Sequence, residues 1–114
     1  MQLLSQITND PYQQIPLTAD DGTLITMTLR YLPTQQQWIM NLSSGLFQLN
    51  GIVITNGLNI LSQYINQITY GMSCISNDLI DPFLVNDFSE NRSKLYLLNQ
   101  TECQTIATAI KNPD

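Results

Sequence analysis

Four acidic side chains lie close together in the second half of the chain and form its cluster of hard oxygen ligands. They are Asp78, Asp81, Asp87 and Glu90. Calcium takes about six to eight oxygen ligands in a tight loop, and the spacing of these four does not match the EF-hand pattern. We therefore expect a solvated acidic loop here, and no metal site.

Two cysteines, Cys74 and Cys103, are the candidate nucleophiles. A thiol needs a nearby base to act in catalysis, and the chain has no histidine that could provide one. Cys74 lies in an apolar segment and Cys103 on the apolar face of a predicted helix, so we expect two buried, structural thiols. Asp20 and Asp21 are adjacent in a predicted turn and point apart, unlike the paired carboxylates of glycoside hydrolases. The sequence therefore predicts no catalytic residue, no cofactor and no enzyme.

The charge of the chain argues against further classes of function. The 114 residues include four basic and nine acidic side chains, which gives a net charge of −5 at pH 7. Four scattered cations cannot easily build a phosphate-binding face, so we expect no nucleic-acid partner. No apolar run approaches the roughly 18 to 20 residues of a membrane-spanning helix, so we expect no membrane partner.

Asparagine and glutamine take the place that charged residues usually have. The chain contains 12 Gln and 11 Asn. A surface rich in amides carries little long-range repulsion and tolerates close packing against other proteins, but a bias in genome composition explains the count equally well. The first residues have neither a basic stretch nor a sustained apolar run. We therefore expect no secretion signal, and synthesis in a cytosol that keeps both thiols reduced.

Alternating apolar and polar residues predict the strands that must position these side chains. Residues 23–31 alternate so that one face is apolar, and residues 37–42 do the same. The predicted inward side chains are Ile25, Met27, Leu29 and Tyr31 in the first segment and Trp38, Met40 and Leu42 in the second. The two segments form a predicted antiparallel hairpin with its loop near residues 32–36.

Pairs ending in glycine predict turns between shorter strands. Asp21-Gly22 separates a first strand from the long one that follows it. Asn50-Gly51 predicts a two-residue hairpin turn between strands at 46–49 and 52–55, because both turn positions need positive φ. The remaining predicted strands cover residues 13–17, 72–75 and 94–98.

The last part of the chain changes character. Residues 77–92 contain Pro82 and several Asn and Asp residues, which predicts a long loop. Thr101 with Gln104 predicts a capping box, and a helix over residues 101–111 follows it. The predicted apolar face of this helix consists of Cys103, Ile106, Ala107 and Ile110. Residues 58–65 are compatible with either a short helical turn or another strand.

Together these elements predict one domain over residues 1–114, since two domains would each be too small to bury a core. The predicted fold is mainly β, a small antiparallel β-barrel or sandwich of six to seven short strands with a C-terminal α-helix. Within it, we expect a β domain over residues 12–99 and a C-terminal helix over residues 100–111.

The order of several motifs resembles a known protein family. In chain order the motifs are Ile15-Pro16-Leu17, Leu29-Arg30-Tyr31, the strand around Trp38, the run at 51–64, Asp81-Pro82 and Lys94-Leu95-Tyr96-Leu97. The most specific residues are Gly51, Ile54, Gly57, Asn59, Ile60, Leu61 and Tyr64. Over roughly residues 12–99 this order resembles the baseplate plug proteins of contractile-tailed, cyanophage-like bacteriophages.

The resemblance implies a non-enzymatic structural component of a phage tail baseplate, a plug or adaptor packed at the central hub. It implies hub, tube or spike proteins as partners, a homo-oligomer within the assembly, and a location in the virion after synthesis in the host cytoplasm. It brings no catalytic or ligand-binding residues. The Gln- and Asn-rich hairpin and loop regions and the C-terminal helix depart from the family's pattern, which leaves the partner surface and the helix's role open.

Two aromatic residues of the predicted loop, Phe83 and Phe88, are the candidate partner contacts. Two explanations for them are open: the loop folds back and packs them onto the core, or they anchor a partner subunit. Trp38 and Phe47 are further apolar candidates. An alternative function is a small protein- or carbohydrate-binding β module encoded by a phage or prophage. An exposed Trp or Tyr on a flat face would favour carbohydrate, but the alternation places Trp38 inward.

Overall fold

The computed structural model describes residues 1–64 and 67–111, and its strands form two antiparallel sheets. The strands are β1 (Gln2–Leu3), β2 (Tyr12–Thr18), β3 (Leu24–Leu32), β4 (Gln37–Ser44), β5 (Phe47–Val53), β6 (Gly71–Ser76) and β7 (Ser93–Leu98). A 3₁₀ turn at Ser62–Tyr64 and the helix α1 (Gln100–Lys111) complete the described elements. The larger sheet has the order β2-β3-β4-β5 and the smaller one β1-β7-β6. Neither described sheet closes into a barrel, so the mainly β prediction is confirmed in its sandwich-like form.

The hairpin of β3 and β4 forms the centre of the larger sheet, and its alternation is confirmed. The buried side chains of this hairpin are Ile25, Met27, Leu29, Trp38, Met40 and Leu42. Tyr31, the last predicted inward residue of β3, is half-buried. The loop covers residues 33–36, as expected, because Leu32 pairs with Gln37. Burial of each large apolar side chain contributes about 1.5–3 kcal/mol, so this face contributes much of the core's stability.

The turn between β2 and β3 is the Asp-Gly turn that the sequence predicts. Gly22 has a φ of +88°, which residues other than glycine rarely adopt. The Gly22 N–H donates to the Ala19 carbonyl, and the Ala19 N–H donates to the Thr23 carbonyl, both at 2.9 Å. These bonds reverse the chain within five residues and set the register of the two strands.

The hairpin predicted around Asn50-Gly51 is wrong. β5 runs through both residues, and the turn between β4 and β5 is Gly45-Leu46. Gly51 does have a positive φ of +71°, but its N–H donates to Asn41 Oδ1 at 2.7 Å. The register shifts here so that two residues of β5 lie opposite Asn41 alone. This is a β-bulge, in which a left-handed glycine accommodates one extra residue without reversing the chain.

The smaller sheet is protected at the edge formed by β6. β6 and β7 correspond to two of the predicted strands and pair in antiparallel fashion, and β1 pairs with the other edge of β7. The chain that follows β5 covers β6: Gly57 forms a bridge with Cys74, and the Ile60 N–H donates to the Met72 carbonyl at 2.7 Å. These contacts use backbone groups of β6 that would otherwise be free to pair with a strand of another chain.

Residues 58–65, for which the sequence is compatible with helix or strand, contain a short 3₁₀ turn, Ser62–Tyr64. Ile65, the last residue of this segment, lies outside the described residues. The Tyr64 ring lies edge-on to Phe47 of β5, with 6.3 Å between the ring centres. The turn therefore packs an aromatic ring against the larger sheet.

The helix α1 begins with a different cap from the predicted one. The Glu102 N–H donates to Asn99 Oδ1 at 2.8 Å, and the Asn99 N–H donates to Glu102 Oε1 at 3.0 Å. Asn99 and Glu102 thus form the capping box, and the one predicted at Thr101 and Gln104 is wrong. Both pairs have the same spacing, but Asn is a stronger N-cap residue than Thr.

The predicted apolar face of α1 is in part buried. Cys103 is buried, whereas Ile106 and Ala107 are half-buried. The side chain of Ile110 lies outside the described part of the chain. The main core cluster includes residues from both sheets, from the N-terminal segment, from the connection between β5 and β6, and Phe88 of the loop before β7.

Candidate functional site

Residues 77–92, which we call the acidic loop, connect β6 to β7 and are tied to the larger sheet. The Tyr31 hydroxyl donates to the Phe83 carbonyl at 2.6 Å, and Trp38 Nε1–H donates to the Leu84 carbonyl at 3.0 Å. Tyr31 and Trp38 are cross-strand partners on β3 and β4. The paired strands therefore present two donors side by side, and these donors fix the middle of the loop.

Arg92 holds the acidic loop together from within. Its guanidinium forms a two-pronged contact with Asp87, Nε–H to Oδ1 at 2.8 Å and Nη2–H to Oδ2 at 2.7 Å. Nη1–H donates to Asp78 Oδ1 at 2.6 Å, and Nη2–H also donates to the Asp81 carbonyl at 3.1 Å. The guanidinium carbon lies 4.7 Å from the centre of the Phe83 ring, a cation–π distance. One cation thus joins both ends and the middle of the loop.

Asp87 is the buried acid of this cluster, with only 2% of its surface exposed. Burial by itself would raise the pKa of its carboxyl, but the hydrogen bonds from Arg92 and from the Leu84 and Phe83 N–H groups outweigh it. The pKa of Asp87 therefore lies below its ordinary value, and the group is an anion at neutral pH.

The prediction of a solvated acidic loop is therefore wrong for Asp87, although Asp81 and Glu90 are exposed. A loop has no periodicity that could predict which of its acids pairs with Arg92. Among residues 1–64 and 67–111, no group of three or more His, Cys, Asp or Glu side chains could hold a metal ion.

The two predicted contact residues lie in the same loop but in different surroundings. Phe88 is 5% exposed and packs edge-on against Trp38, with 5.5 Å between the ring centres. Phe83 is half-buried beneath Arg92. Of the two open explanations, packing onto the core describes Phe88 in this chain. Contact of either residue with a partner stays a prediction.

The two cysteines lie where the sequence predicts. Both are free thiols and both are buried. Burial, aided by the charges of Asp81 and Asp87, raises the pKa of the Cys74 thiol to about 12. Burial also raises the pKa of Cys103, together with the charge of Glu102 beside it. Neither thiol is ionised at neutral pH, so neither is prepared for nucleophilic attack.

The adjacent acids Asp20 and Asp21 bind structural partners. Asp21 Oδ2 accepts a hydrogen bond from the Thr69 hydroxyl at 2.5 Å, and Oδ1 accepts the Thr23 N–H at 3.0 Å. These bonds, the one from Thr69 first, lower the pKa of Asp21. Asp20 Oδ2 accepts Asn99 Nδ2–H at 3.0 Å. Asp20 thus connects the β2–β3 turn to the start of α1, and Asp21 connects it to the residues before β6.

Three aliphatic side chains of the acidic loop point into solvent. Leu79 is 73% exposed and Ile80 is 54% exposed, and Leu84 is also exposed. The sequence prediction singled out the aromatic residues of the loop and missed these three. The signal was present, because two adjacent aliphatic residues flanked by Asp78 and Asp81 have no periodic reason to be apolar in a loop.

A family model described as "Cyanophage baseplate Pam3 plug gp18" matches residues 1–101. The chain belongs to this family. A search of curated proteins finds no match. The resemblance stated from the sequence is therefore confirmed, and the match extends it to the N-terminal segment and β1. The match ends at the second residue of α1, so most of the helix lies outside it.

Membership in this plug family gives the chain a structural role in a phage baseplate. The role places it in the tail of the virion, where it contacts other baseplate proteins. In the part of the chain that the structure describes, no helix is long and apolar enough to cross a membrane.

Proposed function

We propose that this chain is a non-enzymatic plug or adaptor, packed at the central hub of the tail baseplate between the tail tube and the spike. The chain is synthesised in the host cytoplasm and assembles as a homo-oligomer on the hub. The observation that carries the proposal is the family match over residues 1–101. A central position on a rotationally symmetric tail accounts for the expectation of several copies.

The chemistry of the reactive side chains supports a structural role. The carboxylate of Asp87 is bound on both oxygens by Arg92 and is only 2% exposed, so it is not open to a substrate. The thiols of Cys74 and Cys103 are buried and have raised pKa values. The groups that the protein environment perturbs most are thus used to hold the fold together.

The acidic loop is the proposed docking element. It is fixed to the larger sheet by Tyr31 and Trp38, and it carries three exposed aliphatic side chains. Of the two predicted aromatic contacts, half-buried Phe83 is the proposed direct contact with a baseplate partner. Phe88 supports the loop from the core side. Trp38 is buried and cannot supply the flat aromatic face of the carbohydrate-binding alternative, so Tyr12 of β2, which is 62% exposed, is the exposed aromatic residue left for it.

Deletion of the gene and complementation test this function. Tails would be purified from the deletion phage supplied with the wild-type chain, and copies per tail would be counted by quantitative mass spectrometry. We expect a fixed copy number that is a multiple of the tail's rotational symmetry. Absence of the chain from tails that are otherwise complete and infectious would contradict the proposal.

A further inference from the structure

Leu79 is held in a backbone conformation that its side chain does not favour. Its φ is +61°, in the left-handed region where a β-carbon crowds the following carbonyl oxygen. Asn91 of the same loop also has positive φ, but an Asn side chain tolerates this region well. A leucine at this position gains little from burial, because most of its surface is exposed. The fold therefore gives no internal reason for leucine at this position.

Hydrogen bonds before and after Leu79 and Ile80 fix the backbone that presents these two exposed side chains. The Leu79 N–H donates to the Ser76 carbonyl at 3.1 Å, and the Ile80 N–H donates to Asp78 Oδ1 at 3.2 Å. The same Asp78 oxygen accepts Arg92 Nη1–H. On the far side, Asp81 Oδ1 accepts the Asn56 N–H at 2.8 Å. The two side chains are thus presented by a fixed backbone, which lowers the entropy lost on binding.

The charge around these two side chains is negative. Residues 77–92 contain four carboxylates and one guanidinium, so the loop has a formal charge of −3 in a chain of net −5. The flanking acid Asp78 keeps 45% of its side chain exposed even though it is paired with Arg92. An apolar tip with an acidic rim is complementary to an apolar pocket with a basic rim.

We propose that Leu79 and Ile80 form a hydrophobic anchor that inserts into an apolar pocket of another baseplate protein, rimmed by Lys or Arg side chains. The proposal rests on the proposed function, since it names the partner surface of that role. Interface energy concentrates in a few well-presented apolar residues, and charge complementarity at the rim selects the partner. The need of the anchor for a large aliphatic side chain accounts for a leucine in this unfavourable backbone conformation.

The substitution Leu79→Asn tests the anchor, because it separates stability from assembly. Asn tolerates positive φ, so the melting temperature of the variant should be unchanged or raised. Loss of the anchor should lower the number of copies per tail, counted by mass spectrometry in the complemented deletion phage, by roughly tenfold.

The matched control is Leu46→Asn. Leu46 is fully exposed in the β4–β5 turn. The acidic loop is bound to Trp38, near the other end of β4, and about 20 Å of strand separates Trp38 from this turn. This variant should enter tails at the wild-type level. Wild-type chain in tails together with equal incorporation of the Leu79→Asn variant would overturn the anchor alone. Absence of the wild-type chain would overturn the proposed function itself.

The chemistry of the pocket is tested by a photo-crosslinking residue, Ile80→p-benzoylphenylalanine, in assembled tails. We expect a crosslink to an apolar segment of another baseplate protein that has Lys or Arg beside it in the sequence or structure. A crosslink to an acidic or wholly polar segment, or no crosslink in tails that contain the chain, would contradict the inference.

Discussion

At the scale of single residues, the ion pair of Asp87 and Arg92 decides whether the acidic loop keeps its shape. Asp87 also accepts the N–H groups of Phe83 and Leu84, so one carboxylate orders both the cation and the loop backbone. Loss of the Asp87 charge would weaken the bonds that it accepts from Arg92 and from the loop backbone, while Arg92 would keep Asp78 as a charged partner.

The substitution Asp87→Asn should therefore lower the free energy of unfolding by about 2 kcal/mol at pH 7, measured by urea denaturation. The folded-state pKa of Asp87 is lowered, so the ionised group stabilises the protein above its unfolded pKa of about 3.9, and this contribution is lost as the pH falls through the folded value. The difference between wild type and variant should shrink on acidification from pH 6 toward about pH 2. Exposed Glu90→Gln is the charge-matched control, and a pH-independent difference would contradict the assignment.

The two loop aromatics should respond differently to truncation. Phe88→Ala removes a buried ring from the contact with Trp38 and should cost about 3–5 kcal/mol of stability. Phe83→Ala removes a half-buried ring beneath Arg92 and should cost only about 1 kcal/mol, yet it should reduce incorporation into tails. Thermal denaturation and tail composition would be measured for both. Normal incorporation of the Phe83 variant would remove Phe83 from the proposed contact.

At the scale of elements, the close approach of β6, α1 and the segment before the 3₁₀ turn depends on Gly71. A β-carbon at this position would lie 2.6 Å from Asn59 Oδ1 and 2.7 Å from Cys103 Sγ. Asn59 Oδ1 accepts the Leu61 and Met72 N–H groups at 3.0 and 3.2 Å, so it cannot move without breaking these bonds. Three elements thus meet at a point where no side chain fits.

The substitution Gly71→Ala should therefore destabilise the protein by about 1–3 kcal/mol, through overpacking at this point. Gly57→Ala is the matched control, because its β-carbon would meet Ile60 Cγ2 at 3.9 Å, an ordinary contact, and should change stability by less than about 0.5 kcal/mol. Chemical denaturation of both variants measures the difference. Equal stabilities would show that the junction accommodates a methyl group.

Some elements could be predicted from the sequence because their signals are local. The β3–β4 hairpin follows from a period of two, and the turn at Gly22 follows from one residue's backbone freedom. A local sequence signal is misleading where two such signals compete, or where a strand continues through a residue pair that is typical of a turn. Gly51 has the backbone angle of a turn but lies in a bulge, because Asn41 supplies the partner for its N–H.

The candidate site was less predictable than the fold, since it depends on pairings within a loop. The sequence places Asp87 and Arg92 in one loop without indicating that they bind each other, and the burial of Asp87 follows only from that pairing. Leu79 was missed for a similar reason. Its positive φ is a property of the folded loop, set by bonds to Ser76 and around Asp78.

At the scale of the whole molecule, the chain is a small, sandwich-like structural protein that contacts its partners through exposed side chains. Its family gives it a place in the baseplate, and the structure offers a fixed, acidic loop with an aliphatic tip for contact. A part of this kind acts through position and complementarity. Its function is therefore tested by where it lies in the tail and by what its loop touches there.

Comparison of baseplates from wild-type and deletion phage by cryo-electron microscopy tests the central claim most directly. We predict difference density at the central hub, between the tail tube and the spike, that fits copies of this fold in a number consistent with the tail's symmetry. In that density, the acidic loop should face a neighbouring baseplate protein. Identical hubs in the two maps, or density for this chain only at the periphery of the baseplate, would contradict the account.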